Sequence, residues 1–483
     1  MNKFKEMKIS KDHIYAIFII VFVSIFVLVN YLFGFNLSLW FISMLVGAIL
    51  AFAYPRAGLY SIIFLTFIFE RFFTLVPIIF GRSDLKLYPI DIILGAILAS
   101  IFFKLIFGNI KISWKKVDTA IMTFSILSVV YFFVSIFILN GSGTLAFSSA
   151  KNYAFYSLLY FVSFLLIDNK ERIKDLAAVI ITGGIGICWF VFYGIAMRNG
   201  LWSEFTPLST EGIRTLAFTH GYYLSLIIIF TLIYIAYRKN KLANFLMILL
   251  PVWILGIVGS MMRHIWLAML VTLVYIFFIF TKNQREQFKK YVTGYIVLAF
   301  SVFIVLTYLV TMNPNSGMHA SYERTFGILS SRVTSIASTN SDDSIIWRTT
   351  AWKQAAERYI SNPIFGIGFG QKITIELGNY RDFVEVRNIH NSFLVLLVQM
   401  GILGVFLIAY VIIKLAKNVF QKVKQQDEFM QIVSYCSIGI LVFQTAAFMF
   451  QPYLEANMLG IFFWINLGLL RSIYDLNNKP LPV

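Results

Sequence analysis

The sequence predicts an all-α polytopic integral membrane protein with about 14 transmembrane helices (12–14) and one large extracytoplasmic loop. Three observations carry this. Of 483 residues, 59% are hydrophobic and 13% charged, about half the charge of a soluble domain. Fifty Phe and 25 Tyr exceed what water-soluble cores of this size can hide. Apolar runs of bilayer-spanning length, about 20 residues, recur along the whole chain. These features exclude a soluble enzyme, a disordered chain and a nucleic-acid-binding protein. The formal charge of +17 is then first a matter of topology, because Lys and Arg collect on the cytoplasmic side of membrane proteins.

Lys3, Lys5, Lys8 and Lys11 precede the first run, 14–33. That run is too long for a signal-peptide core and no small-residue cleavage site follows, so it reads as a retained helix. Further runs lie at 37–54, 57–80, 88–107, 117–139, 153–167, 176–196, 221–237, 242–260, 265–281, 291–312, 392–414, 430–450 and 457–471. The run 57–80 contains Glu70 and Arg71, and reads as one span or as a shorter span plus an interfacial piece. Only Ser260-Met-Met-Arg-His264 interrupts the pair at 242–281. Cys188 and Cys436 fall inside apolar runs, where burial as small hydrophobes is the default, and no disulfide or metal-binding cysteine pattern exists.

With a cytoplasmic N-terminus, strict alternation puts 25 of the 40 Lys and Arg inside. The short outside loops hold seven: Arg71, Arg82, Lys86, Lys151, Arg198, Arg214 and Arg263. The other eight lie in the long loop 313–391, whose length exempts it from the rule. Both termini are therefore expected to be cytoplasmic. The chain divides into N-terminal helices (1–200), central helices with Arg-bearing outer loops (201–312), the extracytoplasmic loop subdomain (313–391), and C-terminal helices with a cytoplasmic tail (392–483).

The long loop carries eight positive and seven negative residues, a mixed and foldable surface. Asp343 or Ser344 can cap a helix whose apolar positions Trp347, Ala351, Trp352, Ala355, Ala356, Tyr359 and Ile360 follow helical spacing. Asn362-Pro363 ends it. The turn Gly366-Ile-Gly-Phe-Gly370 follows, then two short alternating runs near 373–377 and 383–386 that suggest a hairpin. Those glycines lack the strand and helix of a nucleotide-binding unit and read as a loop turn.

His220, His264, His319 and His390 map to the outside or the outer membrane edge, with Arg214, Arg263, Arg348 and Arg387. Charge in hydrocarbon costs several kcal/mol unless paired or solvated. Arg263, in a five-residue break between two apolar helices, either snorkels to lipid headgroups or grips phosphate oxygens with its planar fork. His390 is either a polar interfacial anchor or a near-neutral base placed to take a proton from a sugar hydroxyl. Nine residues separate His390-Asn391 from Gly401-Ile-Leu-Gly404, and such glycines allow close helix approach.

His390-Asn391…Gly401…Gly404 resembles the signature of the bacterial O-antigen ligase and O-antigen polymerase superfamily. Arg214-Thr-Leu-Ala-Phe-Thr-His220 is similar to its Arg-containing outer loop, and Ser260-Met-Met-Arg263-His264 to its Ser-Arg element. Arg348-Thr-Thr-Ala-Trp352…Asn362-Pro363…Gly366-Ile-Gly368 resembles the stretch that precedes its histidine. These motifs cover roughly residues 205–412. Gln399 stands where the family often has Glu, and 14 spans exceed the 12 associated with ligases; both bear on ligase versus polymerase.

The resemblance implies a GT-C-like membrane glycosyltransferase, with a lipid-linked oligosaccharide donor on undecaprenyl diphosphate and a glycolipid or glycan acceptor. In family terms His390 is the general base, Arg263 and Arg348 neutralise the diphosphate, and Arg214, Asn391, Arg387, His264 and His220 contact substrate. No outside cluster has metal-ligand spacing, since Asp342-Asp343 lacks a nearby histidine. A metal-independent, cofactor-free, inverting transfer is expected. The polymerase, which joins repeat units on the carrier, is the alternative within enzymes. A lipid-oligosaccharide flippase is the alternative of another class, although transporters tend to have internal repeats and midplane charges that this sequence does not show.

Overall fold

The computed structural model describes residues 10–69, 78–80, 85–108, 110, 112–197, 216–312, 343–377, 380–455 and 459–477, with isolated positions between 319 and 334. Arg214 and Asp342 lie outside the described residues. The architecture is all-α. Helices α1 (Lys11–Phe33), α2 (Leu37–Ala53), α3 (Pro55–Ile68), α4 (Pro89–Ile106) and α5 (Lys116–Phe137) come first. A broken rod follows, made of α6 (Gly143–Ala150), a π turn (Lys151–Phe155), a 3-10 turn (Tyr156–Leu158) and α7 (Leu159–Leu166). Then come α8 (Lys170–Met197), α9 (Phe218–Tyr237), α10 (Lys241–Gly259), α11 (Arg263–Ile279) and α12 (Lys282–Thr311). The loop helix α13 (Asp343–Ile360) precedes α14 (Ser392–Lys422), α15 (Glu428–Phe448) and α16 (Leu459–Leu476).

Every apolar run read from the sequence falls on one of these helices. Among the described residues, nine helices are long and apolar enough to cross a membrane, and α2, α3 and α11 are shorter apolar helices. The helices often outrun the apolar segments. The rod begins at Gly143, ten residues before the expected span, because 143–150 is built of small and polar residues that hydropathy passes over. Helices α8, α12 and α14 likewise extend through charged turns. Among the described residues, the run 57–80 holds the 14-residue helix α3, and Ile78–Phe80 (β1) pairs antiparallel with Leu85–Leu87 (β2).

Starts and stops follow local chemistry. Asn36, Asn240, Asn391 and Asp427 cap α2, α10, α14 and α15 by accepting a backbone N–H of the first turn. Thr281 and Gln284 form a capping box on α12. The centre of the bundle is α9, α15 and α16, whose apolar windows are 83%, 67% and 78% buried, against 28% for α1 and 33% for α10. Outer helices turn Phe18, Ile49, Ile248 and Phe278 outward, a surface suited to lipid. Helix α16 packs on α7, α11 on α15, and α14 on α5. Gly468 makes the first contact possible, because a Cβ there would collide with the Tyr160 carbonyl of α7.

Ion pairs at helix ends join elements that are far apart in sequence. Arg56 meets Asp12 at 3.0 Å, Arg238 meets Glu428 at 3.0 Å, and Lys170 pairs with Asp427. At the other end, Lys151 of the π turn holds the buried Asp91 of α4 at 2.9 Å.

The described part of the segment between α12 and α14, from residue 343 onward, packs against the start of α14. Lys372–Leu377 (β3) and Tyr380–Glu385 (β4) form the antiparallel hairpin. Ala355, Ile373, Val386, Ile389, Val395 and Val398 make a second, small core, with Trp352 packed against it. Gly366, Gly368 and Gly370 all have positive φ, the conformation glycine supplies without steric cost. Gly401 plays a different part from the expected helix–helix spacer. With φ 65° and ψ −166° it breaks α14 from within, and the 363–368 backbone enters the break. Ile402 N–H donates to the Pro363 carbonyl (3.0 Å), Ile367 N–H to that of Val398 (2.8 Å), and Gly368 N–H to that of Gln399 (3.1 Å). A Cβ on Gly401 would overlap the Ile364 carbonyl.

Candidate functional site

The site is assembled where the loop subdomain meets the α14 start and the α15–α16 connection. His390 lies just ahead of the Asn391 cap, in the left-handed region with φ 57°. The imidazole is half-buried. Its Nδ1 sits 2.7 Å from the Gln451 side-chain oxygen, and Trp347 of α13 meets it edge-on with centroids 5.5 Å apart. Burial pushes the His390 pKa below its ordinary value and the Arg348 charge adds to this, while the Gln451 hydrogen bond opposes it. The imidazole is therefore held toward its neutral form.

The connection 449–455 is a hub that sequence reading missed. Gln451 takes His390. Tyr453 hydrogen-bonds His264 at the start of α11, and packs edge-on against Tyr222 of α9 at 5.1 Å. Glu455 accepts from Ser392 Oγ (2.7 Å) and from the Tyr153 hydroxyl (2.5 Å), and its carbonyl accepts from Asn152. Burial raises the Glu455 carboxyl to about 7, against the lowering effects of those hydrogen bonds and of Arg387. The signal was three hydrogen-bonding side chains alternating in Gln451-Pro-Tyr-Leu-Glu455, which on sequence alone is an ordinary turn between helices.

The expected site residues separate into groups. His390, Asn391, Arg348 and Arg387 come together around the α14 start. His264, and with it the helix end that carries the half-buried Arg263, is tied to the same hub through Tyr453. Two of these residues spend hydrogen bonds on the fold. Asn391 caps α14 by accepting from Leu394 N–H at 3.0 Å. Arg387 donates to Glu385 (2.5 Å) and to Ser148 of α6 (2.7 Å), fastening the loop to the broken rod. His220 has other surroundings: it is fully buried, its Nε2 lies 3.1 Å from the Ile68 carbonyl, and it stacks on Phe190 at 4.6 Å.

Residues 246–409 match the family model described as O-antigen ligase. Over that stretch, about a third of the chain, the sequence is similar to the O-antigen ligase family. The match takes in Arg263, His264, Arg348, Arg387, His390, Asn391 and Gly401, and supports an O-antigen ligase-like, membrane-embedded glycan-processing function. The matched region contains His390, Arg263 and Arg348. Gln451, Tyr453 and Glu455, which hold that region's side chains, lie beyond its C-terminal end. No curated protein matches the chain.

Proposed function

We propose that this membrane protein is a glycosyltransferase that moves a glycan from an undecaprenyl-diphosphate carrier to an acceptor hydroxyl, with inversion at C1, on the extracytoplasmic face. The observation that carries the reading is His390: a half-buried imidazole biased toward neutrality beside Arg348, in a region of O-antigen ligase type. The acceptor O–H gives its proton to the imidazole and the oxygen attacks C1. The C1–O bond to the diphosphate breaks, and the leaving oxygen keeps the electron pair. Arg263 and Arg348 neutralise the charge that grows there, through bidentate hydrogen bonds, and Arg214 is a third contact to phosphate or sugar.

Arg348 also sets when the base is strong. Its charge disfavours imidazolium. A bound diphosphate offsets that charge, so His390 gains basicity once the donor is in place. The reading requires no metal. Purified protein in nanodiscs, given lipid-linked donor and acceptor, should form a glycosidic product in EDTA. His390→Ala should lose roughly 10²–10⁴-fold in rate, the usual worth of a general base. A wild-type rate in that variant, or loss in EDTA with recovery in Mg²⁺, overturns the mechanism.

A further inference from the structure

We infer that Gln451 is a positioning residue for His390: its carboxamide oxygen accepts the Nδ1 proton and so commits the imidazole lone pair to Nε2, the atom left to receive a proton from the acceptor. This rests on His390 being the base. A carboxamide oxygen can only accept, so at 2.7 Å it selects the tautomer with hydrogen on Nδ1. A carboxylate in that place would select the same tautomer but would also favour imidazolium. The neutral amide pulls in that direction too weakly to reverse the effect of burial, which agrees with a base kept unprotonated.

The backbone that carries the amide is itself held in place through the Gln451 main-chain carbonyl. The Gln451 carbonyl lies 3.2 Å from Ser392 Oγ and accepts from Tyr453 N–H at 2.9 Å, and Pro452 restricts the Gln451 backbone to extended conformations. The Ser392 hydroxyl accepts in turn from Leu454 N–H at 3.1 Å. On the other side, the left-handed backbone of His390 and the edge-on Trp347 ring fix where the imidazole points. The charged groups around this pair are Arg348 from α13, which acts on His390 directly, Glu455 from the hub, bonded to the neighbouring Ser392, and Arg387, which faces Glu455.

The test uses full-length protein in nanodiscs and follows transfer against pH for wild type, His390→Ala, Gln451→Ala and Gln451→Glu. Gln451→Ala should lower kcat by up to about 10²-fold, the scale of a misoriented group, with the donor KM within about twofold. Gln451→Glu keeps an acceptor oxygen and should keep transfer, while the acid limb of kcat/KM moves up by about one pH unit or more. This nearly isosteric variant decides the matter even if Gln451→Ala is too unstable to purify. With His390→Ala inactive, an unchanged acid limb in Gln451→Glu, or an unchanged kcat in Gln451→Ala, overturns the role of Gln451 and leaves the base reading standing. An active His390→Ala overturns the base reading itself.

Discussion

The bundle buries polar side chains at both of its ends, and the two clusters are built on opposite plans. At one end the fully buried Asp118 and Arg471 meet as a bidentate pair, with Nε–Oδ1 at 2.9 Å and Nη2–Oδ2 at 3.0 Å. The Tyr160 hydroxyl and the Lys115 N–H donate to the same carboxylate, at 2.6 and 2.8 Å, and the Ser113 carbonyl takes a guanidinium proton at 2.8 Å. Asp475 pairs with both Arg471 and Lys115, so two cations face two carboxylates. At the other end, His390, Gln451, Ser392, Glu455, Tyr153, Tyr453 and His264 are linked through amide, hydroxyl and imidazole groups. Two of its members, His390 and Glu455, are pushed toward their neutral forms. A charge-matched cluster ties α5, α7 and α16 together and leaves no capacity over. The second cluster, with its imidazole and carboxyl leaning toward neutrality near Arg348 and Arg387, is where the proposed transfer would take up a proton.

If that contrast is right, changes at the first cluster alter stability and changes at the second alter turnover. The largest effect belongs to Arg471→Leu, which strands Asp118 without its partner. Such a loss costs roughly 3–5 kcal/mol, visible as a collapse in folded yield and thermal midpoint, while transfer per folded molecule stays at the wild-type level. Arg471→Leu combined with Asp118→Leu should recover much of the stability, because a buried pair and an apolar pair are nearly equivalent. A selective loss of turnover at unchanged stability would break the comparison.

Next come Arg263→Lys and Arg348→Lys. Each keeps the charge and loses the planar fork, so transfer should fall by about 10²–10³-fold, the scale of a lost transition-state donor, with an unchanged thermal midpoint. Full activity in Arg263→Lys would instead favour anchoring to lipid headgroups.

The smallest effect sharpens the second cluster. The folded chain holds the Glu455 proton up to about pH 7, against an ordinary value of 4.5. Native protein therefore binds more protons than unfolded protein between those values, and this group's contribution to stability falls as pH rises across that window, then levels off. Glu455→Gln should remove that dependence, giving a midpoint roughly a few °C above wild type at pH 8 and little difference near pH 4. An equal offset at both pH values would show that Glu455 does not titrate in this range.

Much of the fold was legible because hydropathy and capping are local. The 14 apolar runs, the helix beginning at Asp343, the hairpin and the break at Ser260-Met-Met-Arg-His264 all follow from neighbours within one or two turns. The rod at 143–166 was half legible, since its small residues and π turn carry no strong period. Gly401 was legible as special but not for its reason. Only packing shows that the Pro363–Gly368 backbone fills the break it makes.

The sequence by itself determined the membrane-spanning, all-helical class and the region carrying His390, Arg263 and Arg348. The tertiary structure decided which polar groups meet. His390 and Gln451 lie 61 residues apart, His264 and Tyr453 189, and Tyr153 and Glu455 302. Hydropathy is summed over a window of one span, whereas these bonds depend on how helices far apart in sequence pack, and buried polar groups settle where a partner can reach them.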